Sequence, residues 1–378
     1  MKRNLILMYA ISFFQGMVFY SSIATLYRQA AGLSVFQMTT IESISLMLSF
    51  AFEVPWGVLA DRIGYRRTMT FCNTLFFISK IVFWKSQSFA GFLLERVLLA
   101  VVCAGLSGVD TSILYLSCRE GDSQRAFGIY GSLGTAGLLS AAAIYTVFLG
   151  ENYRAAGFLT VISYGIAAML SFGLKEVKVS QKNERTSLRH SLQILKETLF
   201  NRRLLLLIAG LALLGEANQT ITVFFNQLQY EKAGMSARLI SAAYILTTLA
   251  GLVSVFSASL TKRLKPRLMG SLLFAGCAGS CFLLALTKSP LLSVLGVLLV
   301  EVFCCLLGPL GTELQNQAIT TADRATALSM STLIQDLLAV FTNLAFGKLA
   351  DFDLSAAMGF GGLLCILGMG LYLRSLKV

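Results

Sequence analysis

The sequence predicts an all-α integral membrane protein of twelve transmembrane helices in two pseudo-symmetric six-helix bundles. Three observations predict it. Hydrophobic residues make up 56% of the 378 and charged residues only 13%, where a water-soluble chain carries roughly 25%. Apolar runs of bilayer length recur along the chain, interrupted by one polar stretch near its middle. Basic residues gather in alternate connections.

The runs, each of about 20 residues, fall near 5–27, 38–60, 67–85, 89–116, 125–149 and 153–173 in the first half. In the second they fall near 204–230, 237–261, 267–287, 289–312, 325–350 and 354–374. This divides the chain into a first six-helix bundle (1–173), a basic linker (174–203) and a second bundle (204–378). Lys2 and Arg3 precede the first run, which continues for a full span with no small-residue cleavage site, so it is expected to act as its own insertion signal. In the linker, Leu188, Leu192 and Leu195 share one helical face among basic residues. That pattern fits an amphipathic helix lying on the membrane surface, or else a solvated flexible connection.

With the N-terminus cytoplasmic, 22 of the 31 Lys and Arg residues face inside, seven face outside, and Lys80 and Arg96 lie within spans. The positive-inside rule predicts this imbalance for six plus six helices with both termini cytoplasmic. A multi-pass protein of the cell membrane is therefore expected. The formal charge of +12 sets topology and meets anionic lipid headgroups, and no nucleic-acid partner is needed to explain it. The eight cysteines (Cys72, Cys103, Cys118, Cys277, Cys281, Cys304, Cys305 and Cys365) lie in or beside apolar runs, form no CxxC pair and are accompanied by a single histidine, His190. They read as small hydrophobic residues, with no metal, cofactor or catalytic nucleophile implied.

An internal repeat supports two halves. Arg125–Ala126–Phe127–Gly128 opens the fifth span and Arg324–Ala325–Thr326–Ala327 the eleventh. Leu59–Ala60–Asp61–Arg62 after the second corresponds to Leu260–Thr261–Lys262–Arg263 after the eighth. Transporters built from repeats place their site between them.

Between the second and third spans stands Gly57–Val58–Leu59–Ala60–Asp61–Arg62–Ile63–Gly64–Tyr65–Arg66–Arg67. Gly57 permits close helix contact and Gly64 a tight turn at positive φ. Asp61 is placed to accept hydrogen bonds from a helix N-terminus. This stretch resembles the G-x-L-A-D-R-x-G-R-K signature of the major facilitator superfamily, and the chain most resembles its twelve-helix drug/proton antiporters. The resemblance implies that the loop latches the two halves on the cytoplasmic side, with Asp61 meeting the start of the eleventh helix. It also implies an arginine paired with an acid low on the fourth helix, where Asp110 stands. Tyr65 occupies that arginine's position, so Arg66 or Arg62 takes over the pairing or the latch is weaker. Arg96, followed by small residues, looks like the fourth-helix arginine of proton-driven exporters. The antiporters' fifth-helix G-x-x-x-G-P-x-x-G-G is not matched: Gly131, Gly134 and Gly137 are spaced by three and the proline is absent.

Ionisable residues within spans are expensive and face a cavity or a partner. Glu216, Glu301 and Asp336 lie about a dozen residues into their helices, near the midplane at 1.5 Å rise per residue, and Arg96 lies somewhat nearer the outside. A buried carboxylate favours its neutral form and changes protonation as access alternates. Glu216, Glu301 and Arg96 fall on helices that line the central cavity in the superfamily. Their alternative reading is structural, as in a Lys80–Glu95 pair. Asn218 and Gln219 add polar density to the seventh span, and Gln15 and Tyr20 on the first are placed to face them. The function implied is a monomeric secondary active transporter, with proton-coupled efflux of amphipathic or cationic compounds as the first reading. Uptake or facilitated passage of a nutrient or metabolite, and a transport-dead membrane sensor, are the alternatives. Small-molecule substrate, protons or another coupling ion, and lipid are the expected partners.

Overall fold

The computed structural model describes residues 2–118, 123–150, 152–177, 201–319 and 324–377, excepting the side chains of 53–55, 57–62, 123–125 and 324–330. Among them the regular elements are helical and there is no strand. An unbroken helix is the structure lipid demands, because every backbone N–H and C=O finds its partner within the segment. The expected surface helix around Leu188–Leu195 lies outside the described residues.

The first half comprises α1 (Lys2–Gly16) and α2 (Ala24–Ala30), then α3 (Val35–Ile63) and α4 (Tyr65–Lys85). After these come α5 (Phe89–Leu106), α6 (Val109–Ser117), α7 (Ser123–Ile144) and α8 (Tyr153–Phe172). In the second half come α9 (Arg202–Gln219), α10 (Asn226–Lys232), α11 (Ala237–Ala250) and α12 (Ser257–Leu286). The last three are α13 (Pro290–Ala318), α14 (Arg324–Phe352) and α15 (Leu354–Ser375).

Ten described stretches are long and apolar enough to cross a membrane. One of them, Ala237–Leu286, turns at Lys265, where the backbone leaves the helical region just before Pro266, and so serves as two passes. The 21 residues of α4 have the length of a span, although Arg66, Arg67, Lys80 and Lys85 lower its hydropathy. Large apolar side chains turn outward along the spans, among them Phe148 (77% exposed), Leu286 (86%) and Leu291 (77%). Such exposure suits lipid and would be an aggregation hazard in water.

Several spans are broken rather than straight. The first loses its helix between Gly16 and Ser21. The fourth breaks at Gly108, held at φ +77°. The fifth and seventh each contain a π turn, at Tyr145–Leu149 and Thr220–Phe225. Such wide turns inside α-helices recur at functional sites.

The chain forms two compact units. One comprises Met1–Leu33, Ile44–Asn183 and Ala237–Ile245, the other Ser34–Ser43, Glu184–Ser236 and Leu246–Val378. Within the first, α1 and α7 approach at backbone distance. A Cβ on Gly16 would overlap the Gly134 carbonyl, and one on Gly137 the Phe13 carbonyl. Two of the three glycines spaced by three thus serve close packing, as small residues do where helices meet without a hydrophobic driving force. The buried side chains of Met8, Ile11, Met69, Ile113, Leu114 and Ala167 form the core beside them.

Within the second unit, the first turns of α3 pack on α14. The Val35 N–H donates to Asp351 Oδ1 at 2.7 Å and the Ser43 hydroxyl to the Val340 carbonyl at 3.3 Å.

Candidate transport site

In the first unit the polar groups form a chain across helices α1, α4, α5 and α8. Gln15 donates from Nε2 to Asn73 Oδ1 at 2.6 Å, and Tyr164 Oη donates to the Gln15 carbonyl at 2.8 Å. Tyr20 lies flat on Phe83 at 3.9 Å between ring centroids, with 6% of its surface exposed. Beneath it Lys80 Nζ meets Glu95 Oε1 at 3.4 Å, the structural pair that the sequence offered. Arg96 Nε approaches Glu95 Oε2 at 3.7 Å. The ammonium of Lys80 also lies 5.1 Å from the Phe76 ring centroid and 5.2 Å from that of Tyr164. One buried carboxylate thus faces two cations beside aromatic faces, which attract cations through their quadrupoles.

The second unit carries the midplane acids. Glu216, half-buried on α9, accepts from the Thr342 hydroxyl of α14 at 3.4 Å. Asp336 on α14 and Glu42 on α3 lie near enough to act on it electrostatically. Glu42 was not among the midplane residues read from the sequence, since it lies close to the start of its span. Asn218 and Gln219 follow Glu216 and end α9 where the π turn begins. The Asn218 Oδ1 is buried without a hydrogen-bond partner, while Gln219 is exposed. Thr220 and Asn343 touch at 3.5 Å just beyond. Glu301, on α13, accepts from the Cys305 thiol one turn further on, at 3.1 Å.

Of the signature loop, Gly57, Asp61 and Arg62 fall in the last two turns of α3, and their side chains lie outside the description. Gly64 has φ +91° and ψ 151° between α3 and α4. The Arg66 guanidinium donates to the Phe172 carbonyl at 3.4 Å, and its backbone N–H to Glu176 Oε1 at 3.2 Å. Glu176, just past the sixth span, thereby caps the N-terminus of α4, where the helix dipole favours an anion. Only a lone acid between Lys175 and Lys178 signalled it in the sequence. Asp110 stands in the first turn of α6 and accepts from the Thr111 N–H at 2.6 Å.

Apolar helices with ionisable side chains gathered inside them define a multi-pass membrane transporter fold. The chain belongs to the Major Facilitator Superfamily, whose profile matches residues 5–343. Among curated relatives, the methyl viologen resistance protein SmvA of Salmonella typhimurium is 27% identical over 134 residues, 34% of this chain and 26% of SmvA. The chain thus matches about a quarter of the length of that relative. Among solved structures, a variant of the nucleoside transporter NupG superposes with TM-score 0.85 at 13% identity, covering 98% of this chain and 99% of that one. A bacterial homolog of the human lysosomal transporter Spinster gives 0.74 at 17%, over 99% and 96%. The peptide transporter POT gives 0.74 at 15%, over 99% and 94%. At these identities the likeness shows the fold alone.

Proposed function

We propose that this transporter exports amphipathic or cationic compounds across the cell membrane in exchange for protons, with Glu216 as the exchanging carboxylate. The observation that carries this reading is the setting of Glu216. It accepts from the Thr342 hydroxyl just before a π turn, with Asp336 and Glu42 within electrostatic reach. A carboxylate inside an apolar bundle calls for a partner, and a cationic cargo or a proton can each fill that place. Competition for that place is antiport. Glu301 and Asp336 share the charge in this reading. The Lys80–Glu95–Arg96 cluster pairs charges within the first bundle, with Gln15 and Tyr20 close by. The partial likeness to a methyl viologen resistance protein supports a dicationic, aromatic cargo.

In the same reading transport is by alternating access of the halves 1–173 and 204–378, joined by 174–203, with both termini cytoplasmic and the protein monomeric. Gly57, Asp61, Arg62, Gly64, Arg66 and Asp110 form the cytoplasmic latch. The test uses the purified protein in liposomes with methyl viologen as cargo. Adding the dication outside should release protons from the lumen, followed with a pH-sensitive dye. Uptake without proton movement would reject the exchange.

A second reading is favoured by one observation. The buried, unpartnered Asn218 Oδ1 beside exposed Gln219 suits an uncharged polar metabolite with a donor to offer. Counterflow of such a solute with no pH gradient would select facilitated passage over antiport.

A further inference from the structure

Three thiols meet where sequence spacing gives no hint of a site. Cys277 and Cys281 stand one turn apart on α12, and Cys365 stands on α15, which packs against it. Their three sulfur atoms lie within 4.8 Å of one another, and each residue is 0% exposed. Cys304, on α13, is not part of the group.

We propose that Cys277, Cys281 and Cys365 form a trithiol site that captures trivalent arsenic or antimony as a neutral, three-coordinate complex. Ligand number and charge together select this class. Thiolates prefer soft centres. A structural zinc ion asks for four donors, and the group offers three. Three thiolates around a divalent ion leave one net negative charge, and around a monovalent ion two, in surroundings where unpaired charge is strongly disfavoured. A trivalent metalloid leaves none, and its lone pair occupies the fourth position. The chemistry balances without redox change. Arsenous acid, As(OH)3, meets three S–H groups, three As–S bonds form, and each hydroxide leaves as water with a thiol proton. Arsenic remains trivalent throughout, and the species that enters is itself uncharged. Each cysteine has a single side-chain torsion, so small rotations draw the sulfurs onto a common centre. Capture ties α12 to α15 and so stiffens the second unit.

The test uses the full-length chain, reduced and purified in detergent, incubated with arsenite and freed of excess. The expected result is one arsenic per chain with a shell of three sulfurs in X-ray absorption, and an upward shift of the thermal unfolding midpoint. Cys365→Ser should lower apparent affinity at least about tenfold and abolish the shift, a loss of about 1.4 kcal/mol or more. The double variant Cys304→Ser/Cys305→Ser should bind as the parent does. Should Cys365→Ser fail to fold, the sulfur shell of the parent and the double variant decides the question. No retained arsenic, a shell of two sulfurs with oxygen, or binding lost in the double variant would each overturn the assignment.

Discussion

Gly64 and Lys265 hold the same turn in the two halves of the chain. The backbone is at φ 91°, ψ 151° at Gly64 and at φ 59°, ψ 151° at Lys265. The spacing between them equals that between Asp61 and Lys262, the two ends of the repeat read from the sequence. The acid and the glycine were replaced in the second half, yet the turn stayed. Lys265 is the one non-glycine residue at positive φ among those described. That region is almost reserved for glycine and costs about 1–3 kcal/mol elsewhere.

Replacing Lys265 by glycine should therefore stabilise the protein by about 1 kcal/mol, less what the looser unfolded chain gives back. Gly64→Ala should destabilise by about 1–3 kcal/mol, since its Cβ would also meet the Glu176 carboxylate. Thermal unfolding in detergent measures both, and equal effects of the same sign would contradict a shared turn.

The approach of α1 to α7 makes Gly16 intolerant of a side chain. Gly16→Leu drives new atoms into the Gly134 backbone, which has no room to yield. Overpacking of this kind costs about 1–3 kcal/mol or more. Gly131→Leu, at a position with open space around its Cβ, is the control and should leave the unfolding midpoint nearly unchanged.

Lys80 and Glu95 are 6% and 1% exposed, so the removal of one charge strands the other. Lys80→Met should cost about 3–5 kcal/mol, as for a broken buried pair. The double variant Lys80→Met/Glu95→Gln should recover part of that loss, though Arg96 then stands without its acid neighbour. A double-mutant cycle on thermal stability reads the coupling, and strict additivity of the two single changes would refute the pairing.

Cargo binding should weaken as pH falls on the side open to it. Protonation neutralises Glu216 and removes its attraction for a cation. For one competing proton the limiting slope is about tenfold in affinity per pH unit. Methyl viologen titrations across pH should show that direction in the parent and a flat profile in Glu216→Gln. A slope of opposite sign would point to a site in which protonation favours the cargo.

The membrane-spanning helices were legible because lipid enforces long apolar runs. The breaks were less visible. Gly108 marks one, but nothing in Tyr145–Leu149 or Thr220–Phe225 distinguishes a π turn from an α turn, because both satisfy the same backbone groups one residue apart. At the site, Glu216 and Asp336 stood out as acids in apolar helices. Glu42 did not, since only the packing of α3 within the second unit carries it to them. Glu176 and the Cys277–Cys281–Cys365 trio were hidden for one reason: each depends on a contact between segments far apart in sequence, and spacing along one helix is blind to that.

Antiport through Glu216 is most directly tested by pH-driven methyl viologen transport in liposomes, with the parent, Glu216→Gln and Glu301→Gln compared at equal protein density. The account predicts that an imposed pH gradient accelerates transport by the parent, whereas Glu216→Gln ignores the gradient while still exchanging cargo for cargo. If Glu216→Gln and Glu301→Gln both respond to the gradient as the parent does, proton exchange at these carboxylates is contradicted.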